Sequence, residues 1–416
     1  MSKTNYHYRS LIIHIKKSHM DYKFWDDLCF KSKNLYNLAL YTERQLYFKF
    51  HKFISNYELY KLLNGTDAFE ELPAQEVSEI LKMVYTVCRS FQSASREYQK
   101  HLSKFTGKPK IPKYEDKITG RYQLNFGLQQ LKFKDGYIVL PKKLNNHKIK
   151  IPSNINQEDI QCLRIIPQSQ KIKLEIVYIK SIEIPDNTDL KYVAGIDLGI
   201  DNFAAIAVYN GSMPIILNGK GLKSYNKYFN KKLAYLKSKA MLCNEKYNTA
   251  QIQRLYNKRD NYIHTWMHKA SKETVKYLVQ NKVKAVVIGT NKDWKRNSHL
   301  SKKVNQTFIQ IPYQKFIDQV TYKAQEQGIT VYHMEETYTS GTSFLDNEPP
   351  TKDYYNKSRR IKRGLFKSNT GTLINADINA AYQIIKKVFP NANYSIDGYG
   401  IVGCNTHPMK LILETL

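Results

Sequence analysis

The residues best placed to do chemistry are carboxylates. Asp197 stands just past a short apolar run at residues 193–196, and a second apolar run, residues 204–209, follows Gly199 and Asn202. A carboxylate among apolar neighbours costs free energy unless it is paired or holds a metal. The plainer reading is an Asp that opens a tight turn. Glu335 and Glu336 follow the apolar run 329–334 directly. Successive strand residues point to opposite faces, so only one of this pair can share a site with Asp197. Asp377 falls in the first turn of a helical pattern with Asn375 near its N-cap, where the helix dipole alone would favour it. His264 and His268 have the i, i+4 spacing of a metal pair, but no third ligand is near them in the sequence. The five cysteines, at 29, 88, 162, 243 and 404, form no Cys-x-x-Cys pair. That argues against a cysteine zinc site and for a reducing compartment.

The elements that must position these groups can be read from hydrophobic periodicity. The runs around Asp197 predict a β-hairpin, with Asp197 near the end of its first strand. Residues 283–289 predict a buried strand, residues 313–327 a helix ended by Gly328, and residues 329–334 another strand. Strand, helix, strand fits a right-handed crossover and a parallel pair. Upstream, residues 8–16 read as a strand, and residues 24–51 and 74–102 as helices, with Pro73 at the second helix start. Residues 107–114 break that helix with two prolines and the lysines Lys108, Lys110 and Lys113, which suits contact with a phosphate backbone or a solvated linker. From 122 to 182 several short strands in succession predict a barrel, and Pro185-Asp186-Asn187-Thr188-Asp189 is the expected domain boundary.

Charge points to a partner. The 416 residues carry a formal charge of +29, which is more than solubility needs and implies a polyanion, most often nucleic acid. Residues 221–284, mostly helical by pattern, hold 15 Lys or Arg against 3 Asp or Glu. So one-sided a charge fits a helical pair lying along a phosphate backbone. Lys231, Lys232, Arg254 and Arg259 here, and Arg363 in the basic run 357–367, are further contact candidates. No apolar run approaches the length of a membrane span and no signal-peptide core is present, so the expected setting is cytoplasmic with no membrane partner.

The string Gly195-Ile196-Asp197-Leu198-Gly199, followed by a second strand, resembles the first motif of RuvC-type nucleases with an RNase H-like fold, and the same string stands in the TnpB family. Asp377-Ile378-Asn379-Ala380-Ala381 resembles the third motif, and Leu72-Pro73-Ala74-Gln75 and His268-Lys269-Ala270-Ser271 resemble TnpB strings. The fold this resemblance implies is a mixture of α/β and β domains: an RNase H-like (RuvC) nuclease domain at 186–416, and a β-barrel wedge domain at 1–17 and 104–185 with an inserted helical recognition lobe at 18–103. Within the nuclease domain, 221–284 is a basic helical insertion and 340–373 stands where TnpB has a zinc ribbon. This chain has Ser343 and Asp346, then Lys367 and Thr370, where the two cysteine pairs would fall, so no zinc is expected and the insertion is a ribbon remnant or a flexible loop.

The resemblance further implies an RNA-guided DNA endonuclease: guide RNA from the transposon end, double-stranded target DNA, and two Mg²⁺ held by carboxylates. Asp197 and Asp377 would be ligands. In the common pattern the glutamate ends the strand at 283–288, where this chain has Gly289. Glu336, three places before Thr339-Ser340, is similar to the rearranged pattern of some TnpB relatives and eukaryotic Fanzor proteins, and Glu335 is the fallback. A nuclease-inactive RNA-guided repressor of the same fold is the alternative. A junction resolvase that needs no RNA is disfavoured by the strands and helices upstream of residue 185.

Overall fold

The structure is a computed structural model that describes residues 3–168, 171–184, 192–244, 249–290, 310–362, 364–392 and 407–413. The boundary string 185–189, the polar loop from Asn291 and Arg363 lie outside those residues. The chain divides into two compact units, Tyr6–Lys180 and chiefly Ser181–Leu416.

In the first unit, β1 (Lys3–Lys16) leads into α1 (Tyr22–Phe50), α2 (Asn56–Leu63), the single turn α3 (Asp67–Glu70) and α4 (Ala74–Lys100). Helix α1 forms because Trp25, Leu28, Cys29, Ser32, Leu35, Tyr36, Ala39 and Leu40 recur at helical spacing and are all buried. Helix α2 starts at a reciprocal cap: Glu58 N–H donates to Ser55 Oγ at 3.2 Å and Ser55 N–H to Glu58 Oε2 at 2.8 Å. The strands that follow are β2 (Leu124–Gly127), β3 (Lys132–Lys134), β4 (Tyr137–Val139), β5 (Lys148–Lys150), β6 (Ile160–Gln168) and β7 (Lys171–Ile184). The sequence predicts one barrel. Among the described residues the strands instead make two sheets, ordered β1-β7-β6-β2 and β3-β4-β5. The three-residue strands β3 to β5 pair with one another as a local antiparallel meander.

Two carboxylates are sealed in this unit. Glu43 accepts from Ile54 N–H at 3.1 Å and Glu76 from Asn125 N–H at 3.2 Å, and burial pushes both up to about 7. A carboxyl with a raised folded-state pKa binds its proton more readily folded than unfolded, so its contribution to stability is lost as pH rises from the unfolded value near 4.5 through 7. Glu76→Gln keeps an acceptor for Asn125 and removes the charge. It should match the parent's stability at pH 5 and exceed it at pH 8, by up to about 3 kcal/mol, in denaturant melts at the two pH values.

The second unit is built on a six-stranded sheet in the order β12-β11-β8-β9-β10-β15. Its strands are β8 (Val193–Leu198), β9 (Asn202–Val208), β10 (Ile215–Asn218), β11 (Ala285–Thr290), β12 (Thr330–Glu335) and β15 (Met409–Leu411), while β13 (Leu365–Lys367) and β14 (Leu373–Asn375) form a separate hairpin. Between them run α5 (Lys220–Asn244), α6 (Ala250–Gln280), α7 (Tyr313–Gln325) and α8 (Ala376–Val388). The pleat divides the core cleanly. Ala194, Ile196, Leu198, Val286 and Ile288 pack with Trp266 and Met267 of α6 and Phe316 and Val320 of α7. Val193, Ala285 and Val287 pack on the opposite face with Ile378, Ala381, Ile384 and Ile385 of α8. Strand period and helix period therefore agree on which side α8 lies, and Asp197 has the parity of Val193. Among the described residues no helix is long and apolar enough to cross a membrane.

Candidate active site

Three elements deliver carboxylates to the α8 face of this sheet. Asp197 comes from β8, opposite Ala205 in the antiparallel hairpin with β9. Glu336 follows the last residue of β12 and shares the parity of Met334, which packs on the α8 side. Asp377 lies in the first turn of α8, where Asn375 caps the helix by accepting from Asp377 N–H at 3.0 Å and Ile378 N–H at 3.2 Å. Glycine makes the approach of α8 possible. A Cβ at Gly195 would fall on the backbone carbonyl of Ala381 and within 2.9 Å of Ile385 Cγ1.

Gly289 does the same for Glu336. Strands β8 and β11 pair in parallel with Ile288 opposite Ile196, so the next step of the register brings Gly289 level with Asp197. On the other side Gly289 pairs with Met334 of β12. A Cβ at 289 would stand 2.5 Å from Glu336 Oε1 and 2.7 Å from its Cγ. The glutamate side chain thus occupies the space over the glycine. Its backbone is held there: Glu336 N–H donates to Thr290 O at 3.1 Å, and Thr339 donates its hydroxyl to Glu336 O at 2.8 Å. That last bond is a physical reason for a threonine three places after the glutamate. Glu335 is exposed, and its carbonyl accepts from Lys387 Nζ at 2.8 Å.

The three carboxylates feel one another. Burial first, then the charges of Glu336 and Asp377, push the Asp197 carboxyl well above the usual carboxylate range, with the Arg360 guanidinium opposing. Asp377 is held by two donors: Asn202 Nδ2 donates to its Oδ2 at 2.6 Å and Arg360 NH2 to its Oδ1 at 3.1 Å. Neither partner stands out in the sequence, where Asn202 reads as a turn residue and Arg360 as one cation in a basic run. Of the three carboxylates, Asp377 lines a cavity of about 840 Å³, together with Asp201, Asn202, Lys220, Arg360, Lys362 and Lys410. A hollow with carboxylates at one wall and cations around it suits a phosphodiester better than an acidic or apolar substrate. Oxygen donors in surplus negative charge are also the right chemistry for a hard divalent cation. Among the described residues, no three His, Cys, Asp or Glu side chains are gathered closely enough to hold a metal ion as they stand.

Two family profiles match parts of the chain. The profile of OrfB_IS605, probable transposase, matches residues 174–295, and that of the Cas12f1-like TNB domain matches residues 313–384. Over these two stretches the chain is similar to the TnpB family. A TnpB-like protein, ORF457 of Acidianus two-tailed virus, is 27% identical over 219 residues, or 50% of this chain, and the match spans 44% of that relative's length. Among solved structures, the Cas12f1–sgRNA–target DNA complex matches at a TM-score of 0.50 with 16% identity, covering 88% of this chain and 82% of that one. CasPhi-2 (Cas12j) bound to crRNA covers 95% and 99% at a TM-score of 0.44 and 10% identity. The Cas12f1 likeness supports the fold alone, a mixed α/β architecture shared over most of both chains.

The basic residues singled out from the TnpB-like sequence fare unequally. Lys108, Lys110 and Lys113 are exposed, on a segment pinned to α1 where Asn37 exchanges two 2.9 Å hydrogen bonds with the Glu115 backbone. Lys231 and Lys232 are exposed on α5, and Arg254 on α6. Arg259 is used internally instead. Its guanidinium donates to Asn226 Oδ1 and Gln310 O, both at 3.0 Å, and lies over Phe229, so packing between helices engages it before any phosphate can. His264 and His268 have ring centroids 4.4 Å apart on α6.

Proposed function

We propose that this protein is an RNA-guided DNA endonuclease that hydrolyses a phosphodiester at Asp197, Glu336 and Asp377. The observation that carries the reading is the convergence of these three carboxylates, from β8, the end of β12 and the start of α8, with Asp197 raised above its ordinary range first by burial and then by the charges of Glu336 and Asp377. The relatives argue for the partners: one solved relative is a complex with sgRNA and target DNA. A guide RNA would supply sequence by base pairing, and the protein would hold the heteroduplex by shape and backbone. The sheets and helices of residues 6–180, a wedge and recognition lobe in this reading, with exposed Lys108, Lys110 and Lys113, would do part of that holding.

Asp197, Glu336 and Asp377 are the residues that would hold Mg²⁺. Two such ions would supply a hydroxide at neutral pH and stabilise the attacking and leaving oxygens. The protein's own contribution is orientation. Asn202 fixes Asp377, Thr339 and Thr290 fix Glu336, and the hairpin fixes Asp197. Lys220, Lys362 and Lys410 would draw the phosphate backbone into the hollow.

A repressor that binds without cutting is the competing reading, favoured by the present bonding of both Asp377 oxygens to Asn202 and Arg360. The test begins with the RNA that co-purifies with the protein. Once sequenced, it defines a matched duplex. That duplex should be cut in Mg²⁺ or Mn²⁺ and left whole in EDTA. Absence of bound RNA sinks the guided reading, and tight binding with no cutting in either metal favours the repressor.

A further inference from the structure

Residues 340–373 carry no cysteine or histidine, yet the described part of this insertion is folded, with Thr342, Ser343, Phe344 and Phe366 buried. One carboxylate gathers it. Glu348, whose side chain is 7% exposed, accepts from Ser343 N–H at 2.8 Å, from Arg359 NH1 at 2.7 and 2.6 Å on its two oxygens, and from Asn369 Nδ2 at 3.1 Å. These donors come from three segments far apart along the insertion. The flanking turns are closed by oxygen as well. Asp346 N–H donates to Ser343 Oγ at 3.3 Å, Asn369 N–H to Asp346 Oδ2 at 2.8 Å, and Thr372 N–H to Ser368 Oγ at 3.0 Å. Helix α8 grips the assembly along one face: Asn379 Nδ2 donates to Thr342 O at 2.8 Å, Gln383 Nε2 to Glu348 O at 3.1 Å, and Lys386 Nζ to Asn347 O at 2.6 Å.

A buried ion pair is stable only when geometry is good and the remaining lone pairs are satisfied. Here the carboxylate accepts four hydrogen bonds from three donor groups, two of the bonds from Arg359 NH1, one to each oxygen. The residue after Arg359 is Arg360, whose guanidinium reaches Asp377. We infer that the Glu348–Arg359 pair is a metal-free clasp that folds this insertion and positions Arg360 at the candidate catalytic carboxylates. The inference rests on the nuclease reading for its effect on rate. Its structural half stands without it. With the clasp shut, Arg360 offers a cation at the wall of the hollow where a phosphate would lie. With Arg359 loosened, that cation loses its fixed place relative to Asp377.

The experiment compares Glu348→Gln, Arg360→Ala and the double variant in guided cleavage, RNA retention and phenylglyoxal labelling mapped by peptide mass spectrometry. Each single variant should cut about 10²-fold more slowly, the cost of misplacing a positioned group. The double variant should be no slower than Arg360→Ala, because Glu348 acts through Arg360. RNA should be retained by all three, and Arg360 should label faster in Glu348→Gln than in the parent. Losses that multiply in the double variant, parental cutting by Glu348→Gln, or loss of RNA from it would each overturn the inference. If the parent itself does not cut, the nuclease reading has failed. The labelling then decides the clasp alone, and an unchanged Arg360 rate in Glu348→Gln rejects it.

Discussion

Glu336→Gln should lose DNA cleavage as completely as Asp197→Ala, on the order of 10³-fold or more, while both retain RNA. The amide keeps the size of the glutamate and its contacts over Gly289, so the fold has little to lose. What goes is a charge beside Asp197, and with it, on the nuclease reading, an anionic ligand for a divalent ion. Glu335→Gln is the control built into the chain. Its side chain is exposed and its carbonyl, which Lys387 binds, is untouched by the change. An exposed charge contributes about 1 kcal/mol or less, so Glu335→Gln should cut within about fivefold of the parent. Initial rates on the matched duplex at saturating Mg²⁺ measure all three. Full activity in Glu336→Gln would end the assignment, and equal losses at 335 and 336 would mean the turn matters and not the ligand.

Much of the second unit is legible in the sequence because its face assignments follow a period of two. The hairpin around Asp197, the strand at 285–290 and the crossover through α7 are fully buried or amphipathic elements, whose patterns survive without tertiary information. The same pleat distinguishes Glu336 from Glu335 once α8 is known to cover the Val193 face. The contacts on Asp377 are another matter. Asn202 is 175 residues away in the chain, and Arg360 reaches Asp377 from an insertion whose polar composition reads as loop. Hydrophobic periodicity carries no record of such pairings, since each partner is an ordinary polar residue in its own segment. The Glu348–Arg359 pair escapes for the same reason. The barrel expectation is of another kind: a succession of short strands specifies β structure but not closure, and strand pairing depends on registers that three-residue strands barely encode.

Gly289→Ala should separate the site from the fold. The new Cβ would stand 2.5 Å from Glu336 Oε1 and 2.7 Å from both Glu336 Cγ and Ile384 Cδ1, closer than such contacts allow. All three atoms belong to flexible side chains, so the clash is relieved by rotating Glu336 and Ile384 aside. Overpacking relieved in this way costs about 1–3 kcal/mol. For the site the same rotation is severe, because it drives the carboxylate off the path to Asp197, and a displacement near 1 Å can cost about 10²-fold in rate. Gly195→Ala makes the opposite case. Its Cβ would meet the backbone carbonyl of Ala381, which cannot rotate away, so α8 must lift from β8 and the unit should lose at least about 3 kcal/mol. Thermal melts and cleavage rates on the two variants give the comparison. Gly289→Ala should melt near the parent yet cut poorly, whereas Gly195→Ala should fail in both. If Gly289→Ala cuts at the parental rate, Glu336 does not reach the site across the glycine, and the carboxylate cluster must be completed from elsewhere.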